Sequence, residues 1–149
     1  MTSNIKVAMI SFTQTTAQGF FKRLQNAGVK KVIDIRLHNT SQLAGFAKSE
    51  DLSYFLEAIG NIEYVHAPHL APTDDILKAF KKEKGDWLGY ETRFLGLMKD
   101  RRIEDQVKPD SLEGACLLCS EALPHHCHRR LVCEYLNEYW GGQLEVTHL

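Results

Sequence analysis

Residues 115–135 read A-C-L-L-C-S-E-A-L-P-H-H-C-H-R-R-L-V-C-E-Y. The apolar run at 115–118 has the length of a short buried strand. Pro124 has no backbone N–H to give a helix interior, so residues 120–126 read as a loop. Beyond it, Leu131, Val132, Tyr135, Leu136 and Tyr139 recur at helical spacing. Strand, loop and helix in that order form the building unit of an α/β sheet. A residue at the carboxyl end of such a strand faces the crevice where open α/β sheets bind ligands. All four cysteines of the chain, Cys116, Cys119, Cys127 and Cys133, fall in this stretch, with His125, His126 and His128 among them.

The same alternation extends on both sides. Apolar runs at 5–10, 32–35 and 62–65 read as further strands, and 144–147 as a last one after Gly141-Gly142. Between them, Phe20, Phe21, Leu24 and Ala27 have core spacing in a helix that stops near Gly28. Any hydroxyl of the preceding loop, residues 11–16, can cap it. A second helix at 51–59 turns Leu52, Phe55, Leu56 and Ile59 inward. Thr73 caps a third, with Asp74 and Asp75 at the favourable end of its dipole. A fourth, at 86–99, carries Trp87, Tyr90, Phe94, Leu97 and Met98. Residues 37–47 lack periodicity and read as a loop across the mouth of the sheet, and Lys108-Pro109-Asp110 as a turn. Strands alternating with helices predict a three-layer, Rossmann-like α/β fold: a mainly parallel sheet with helices on both faces. At 149 residues, one domain over 1–149 is the simplest expectation.

Composition narrows the function. A net charge of -1 sets up no general field for nucleic acid. The amino terminus lacks a signal peptide's long apolar run, and no stretch approaches the roughly 20 apolar residues of a membrane span. These features predict a cytoplasmic protein with no membrane partner. Thiols there are normally reduced, so the clustered cysteines read as catalytic, metal-binding or buried and not as a disulfide framework.

Cys119 ends its strand, and Cys127 stands where the last helix begins, beside Arg129 and Arg130. A helix amino terminus and neighbouring arginines both stabilise a thiolate, which makes Cys119 and Cys127 candidate nucleophiles. Cys116 and Cys133 read as small buried hydrophobes. Thiolates and imidazoles also suit zinc. Cys116-x-x-Cys119 is a misleading pair for it, because positions three apart on a strand face opposite sides. Cys119, Cys127 and one of His125, His126 or His128 form an easier set. Arg129 and Arg130 can bind an anion with the exposed amides of the helix start, and Arg36 can converge on the same crevice; the alternative for Arg129 is an internal pair with Glu121 or Asp34 that holds the loop shut. Glu121 and His128 are acid–base candidates, with a surface ion pair as the plain alternative for Glu121. His66 and His69 can supply proton transfer, although a loop histidine is often incidental. Asp34 reads as the partner of a loop amide. Thr13, in the hydroxyl-rich first loop, joins Arg36, Arg129 and His66 as a substrate-binding candidate.

Four segments carry a resemblance to a known family: V-I-D-I-R at 32–36, N-T-S-Q-L-A-G-F-A at 39–47, Y-V-H-A-P-H-L-A-P-T at 64–73 and L-L-C-S-E-A-L-P-H-H-C-H-R-R-L at 117–131. Over nearly its full length the chain resembles the domain-of-unknown-function 488 family. The resemblance implies a three-layer α/β domain with no assigned activity. The family's usual aspartate and arginine fall on Asp34 and Arg36, and its terminal signature on Cys119, Glu121, Cys127, His128 and Arg129. The chain departs at Ser11-Phe12-Thr13, where many members have Gly-His-Ser, and after Arg36, where many carry a proline and an arginine. These departures suggest a subgroup. A weaker likeness is to rhodanese-type sulfurtransferases, whose cysteine loop also follows a buried strand. Their loop, however, lacks the bulk of Pro124 and the histidines. The tyrosine-phosphatase pattern fails, because Cys133 stands where it requires arginine.

The sequence thus predicts one crevice built by Arg36, Cys119, Glu121, Cys127, His128 and Arg129. Two readings of it stay open. One is a thiol-dependent enzyme acting on a small anionic, phosphorylated or nucleotide-like substrate. The other is a zinc- or nucleic-acid-binding module without turnover. No cofactor or oligomeric state is specified.

Overall fold

Five strands form one sheet: β1 (Ile5–Ser11), β2 (Lys31–Asp34), β3 (Glu63–His66), β4 (Ala115–Cys119) and β5 (Leu144–His148). They are ordered β3-β2-β4-β1-β5, and every neighbouring pair is parallel. These positions come from a computed structural model, which describes residues 5–11, 16–36, 49–82, 87–119 and 128–149. The expected 37–47 and 120–126 loops lie outside the described residues. A parallel pair needs a crossover, and helices supply it: α1 (Ala17–Asn26), α2 (Ser49–Gly60), α3 (Asp74–Lys82), α4 (Trp87–Arg101), α5 (Ile103–Gln106), α6 (Pro109–Leu112) and α7 (His128–Tyr139).

β4 lies at the centre of the sheet, as its unbroken apolar run requires. A strand covered on both faces cannot alternate with polar residues. Its successive side chains point to opposite faces, and the core divides accordingly. Cys116 and Leu118 share a cluster with Phe20, Phe21 and Leu24 of α1 and Leu52 and Leu56 of α2. Ala115 and Leu117 share the other with Phe94 and Met98 of α4, Ile103, Leu112, and Leu131 and Leu136 of α7. The sheet is thus the middle of three layers.

The helix boundaries follow local chemistry. Thr16 caps α1, its hydroxyl oxygen accepting from Gly19 N at 3.0 Å, and Thr73 caps α3 by accepting from Ile76 N at 3.3 Å. Gly28 stops the chain after α1 at φ +68°, a conformation that costs glycine nothing. Three expected core positions are corrected. Ala27 is the exposed C-cap residue of α1, while Ile59 and Tyr139, in the last turns of α2 and α7, are 46% and 51% exposed. Helical periodicity runs on into the last turn, where Tyr139 meets the Tyr135 ring at 5.0 Å between centroids and stays half open to solvent. The turn expected at 108–110 is the start of α6, and α5 precedes it. Strands β2 and β3 each begin and end one position away from the apolar runs, β2 earlier and β3 later.

Candidate functional site

Because all five strands are parallel, their carboxyl ends share one edge. Register fixes which residues meet there. Ser11 pairs with Cys119, Asp34 with both Leu118 and His66, and Met9 with His148. The amide of Ile35 donates to Leu118 O at 3.0 Å, so the chain leading to Arg36 leaves the sheet beside the end of β4. The backbones of Arg36 and Cys119 therefore belong to the same edge. Thr13, Glu121, Cys127, His125 and His126 lie outside the described residues, as do the side chains of Cys119 and His128.

The end of β2 is built around Asp34, whose side chain is fully buried. Its Oδ1 accepts from the Arg36 amide at 3.1 Å and from Arg36 Nε at 2.8 Å. Its Oδ2 accepts from Arg36 Nη2 at 2.7 Å and from the Tyr64 hydroxyl at 2.5 Å. The amide bond is the turn that an aspartate makes two residues ahead of itself. The two guanidinium bonds are a bidentate fork, the strongest arrangement available to this pair. Arg36 is only 4% exposed. Two charges this deep are tolerated because each neutralises the other and Tyr64 takes up a remaining lone pair of Asp34. Asp34 thus pairs with a loop amide, as expected, and also holds the whole side chain of Arg36.

This unit latches β3. Ala67 N donates to Asp34 O at 2.9 Å, and His66 Nε2 lies 2.9 Å from Arg36 O. Further along, Arg101 Nη1 donates to the carbonyls of His69 and Ala71 at 2.8 Å each, stitching the end of α4 to the segment after β3. Burial, assisted by the Arg101 charge, holds the His69 imidazole below its ordinary pKa.

On the other side of β4, the adjacent arginines of α7 part company. Arg130 leans on α4 and is 30% exposed: its Nη1 meets Glu134 Oε1 at 3.0 Å, its Nη2 lies 3.9 Å from Glu91 Oε2, and its guanidinium sits 5.9 Å from the Trp87 ring centroid. Protein carboxylates thus engage it on two sides. Arg129, the second residue of α7, is buried at 3% exposure. Its charge reaches two titratable groups. It partly opposes the strong upward push that burial gives the Cys116 thiol, and it adds to burial in pulling the His148 imidazole below its ordinary value. Cys116 and Cys133 are buried, as read from the sequence, and neither forms a disulfide.

Two residues of this edge were missed. Tyr64 is two positions before His66 and so shares its side of the sheet. That alternation was the available signal. His148 closes β5, and its place on the edge follows only from the strand order. Among the described residues, no group of three or more His, Cys, Asp or Glu is close enough to hold a metal ion. The zinc candidates, with Cys119 and Cys127 at their centre, depend on side chains outside that set. No helix among the described residues is long and apolar enough to cross a membrane.

No curated protein and no solved structure matches the chain. A family model does: that of the domain of unknown function DUF488 matches residues 16–136. The match takes in the Asp34–Arg36 pair, His66, the end of β4 and α7 as far as Leu136, and the chain accordingly belongs to the DUF488 family.

Proposed function

We propose that the protein is a thiol-dependent enzyme whose substrate is a small anion, phosphorylated or nucleotide-like, held at the carboxyl edge of the sheet. In this reading Cys119 and Cys127 are the reactive thiols, Glu121 and His128 move protons, and Arg36, Arg129, Thr13 and His66 bind the substrate. The observation that carries it is the burial of Arg129 in the first turn of α7. That end of a helix already bears a partial positive charge and normally attracts acidic groups. The Arg129 guanidinium has contacts of its own within the protein, and its charge adds to the same positive field, which favours an anion. Arg36 is held rigidly enough at the same edge to orient a ligand, since its guanidinium is fixed by Asp34.

Inorganic phosphate is the simplest probe. Saturation at 100 times Kd should stabilise the protein by about 2.7 kcal/mol. His148 supplies a local reporter. Its pKa lies below 6.5 because burial and Arg129 disfavour the cation. A bound anion would offset the Arg129 charge, so the His148 pKa should rise towards 6.5 on adding phosphate. Arg129→Ala should raise it without phosphate and abolish the response to phosphate. NMR titration of the histidine ring protons reads both effects. No phosphate stabilisation and an unmoved His148 would contradict the proposal.

A further inference from the structure

The ring of His66 is held by a bond whose sense is fixed. A backbone carbonyl only accepts, so the 2.9 Å contact with Arg36 O makes Nε2 the N–H donor. That carbonyl is itself immobile. The Arg36 amide, Nε and Nη2 all bind the buried Asp34 carboxylate, and the amide of Ala67, the residue after β3, donates to Asp34 O. In the neutral imidazole the other nitrogen, Nδ1, is then a hydrogen-bond acceptor with a preset direction. Among the described residues it meets no partner. The ring is half-buried, so the edge leaves it reachable from solvent.

Its position on the sheet sets a distance. β2 lies between β3 and β4. Two inter-strand spacings put the backbone of His66 about 10 Å from that of Cys119. A free inorganic anion is too small to touch both places. A molecule with an anionic group at one end and N–H or O–H donors at the other spans them.

We infer that His66 Nδ1 forms a hydrogen-bond-accepting subsite, which takes a donor from the organic part of the substrate, and that the substrate is a nucleoside phosphate. Its phosphate lies towards α7, and its base or sugar donor lies over the ends of β2 and β3. This inference rests on the anion reading above and names the class of anion.

A purely structural His66 needs only the Nε2–H bond to Arg36, and two substitutions separate that role from a subsite. Glutamine can present an N–H where Nε2 stood but has no acceptor at the Nδ1 position. Asparagine can present an oxygen where Nδ1 stood. Isothermal titration with adenosine 5′-monophosphate and with inorganic phosphate reads the difference. The wild-type protein should bind the nucleotide more tightly than phosphate. His66→Gln should weaken nucleotide binding about tenfold, the worth of one hydrogen bond, and leave phosphate binding unchanged. His66→Asn should restore most of the loss. Nucleotide binding no tighter than phosphate, or unaffected by His66→Gln, overturns the inference while the anion site stands. If neither ligand binds the wild-type protein, both readings fall.

Discussion

Asp34→Ala should destabilise the protein by about 3–5 kcal/mol, the cost of leaving one member of a buried ion pair without the other. In a chain of this size that corresponds to a melting temperature lower by on the order of 10 °C. The size of the effect follows from the bonds the substitution removes. Arg36, at 4% exposure, loses three hydrogen bonds, the Tyr64 hydroxyl loses its acceptor, and the latch between the ends of β2 and β3 loosens. The pair itself adds little net stability, since desolvating two charges offsets most of their attraction. Replacing both, as in Asp34→Ala with Arg36→Met, should therefore recover much of the loss. Thermal and urea unfolding of the two variants check this. A loss under about 1 kcal/mol for the single variant would mean that the Arg36 charge has another equally good partner or reaches water.

The thiols should separate by reactivity at least as sharply. Cys116 is fully buried in the central strand, and Cys133 is buried on α7 at 3% exposure. Burial also holds Cys116 in its neutral form by pushing its pKa well above the ordinary value. An alkylating agent reaches such a group only through an opening of the fold. If opening costs about 3 kcal/mol, the rate falls roughly 100-fold. Cys119 ends β4 at the carboxyl edge, and Cys127 immediately precedes α7. Under mild iodoacetamide treatment, peptide mass spectrometry should find both labelled on the order of 100-fold faster than the buried pair. Equal rates across the four, or a fast Cys116, would remove the grounds for a special pair of thiols.

The parallel sheet was legible because each strand is written locally, as an apolar run between turn residues. The order of the strands was not. The pairing of Asp34 with both Leu118 and His66 depends on contacts between distant segments, which no local pattern encodes. The short helices α5 and α6 span about one turn each and leave no periodicity to read. The two arginines of α7 show a signal that was present in the sequence. Arg129, Val132 and Leu136 stand at i, i+3 and i+7, which places Arg129 on the buried face, whereas Arg130 stands at i, i+4 from Glu134 and is half-buried against α4. Tyr64 offers only strand alternation with His66, and its bond to Asp34 depends on a neighbouring strand. Residues Arg36 and His66 were picked out as separate candidates. Their union through one backbone carbonyl is a property of the register between β2 and β3.

The proposal joins a thiol and an anion at one edge, and one measurement asks whether they belong together: the rate of Cys119 alkylation with and without saturating adenosine 5′-monophosphate. If the anion sits at the carboxyl ends of the strands, it covers the end of β4. The rate at Cys119 should then fall at least about tenfold, as solvent access is lost, while the slow labelling of Cys116 changes only with global stability. A Cys119 rate unchanged by a nucleotide that demonstrably binds would place the anion elsewhere and contradict a thiol-dependent enzyme acting on it.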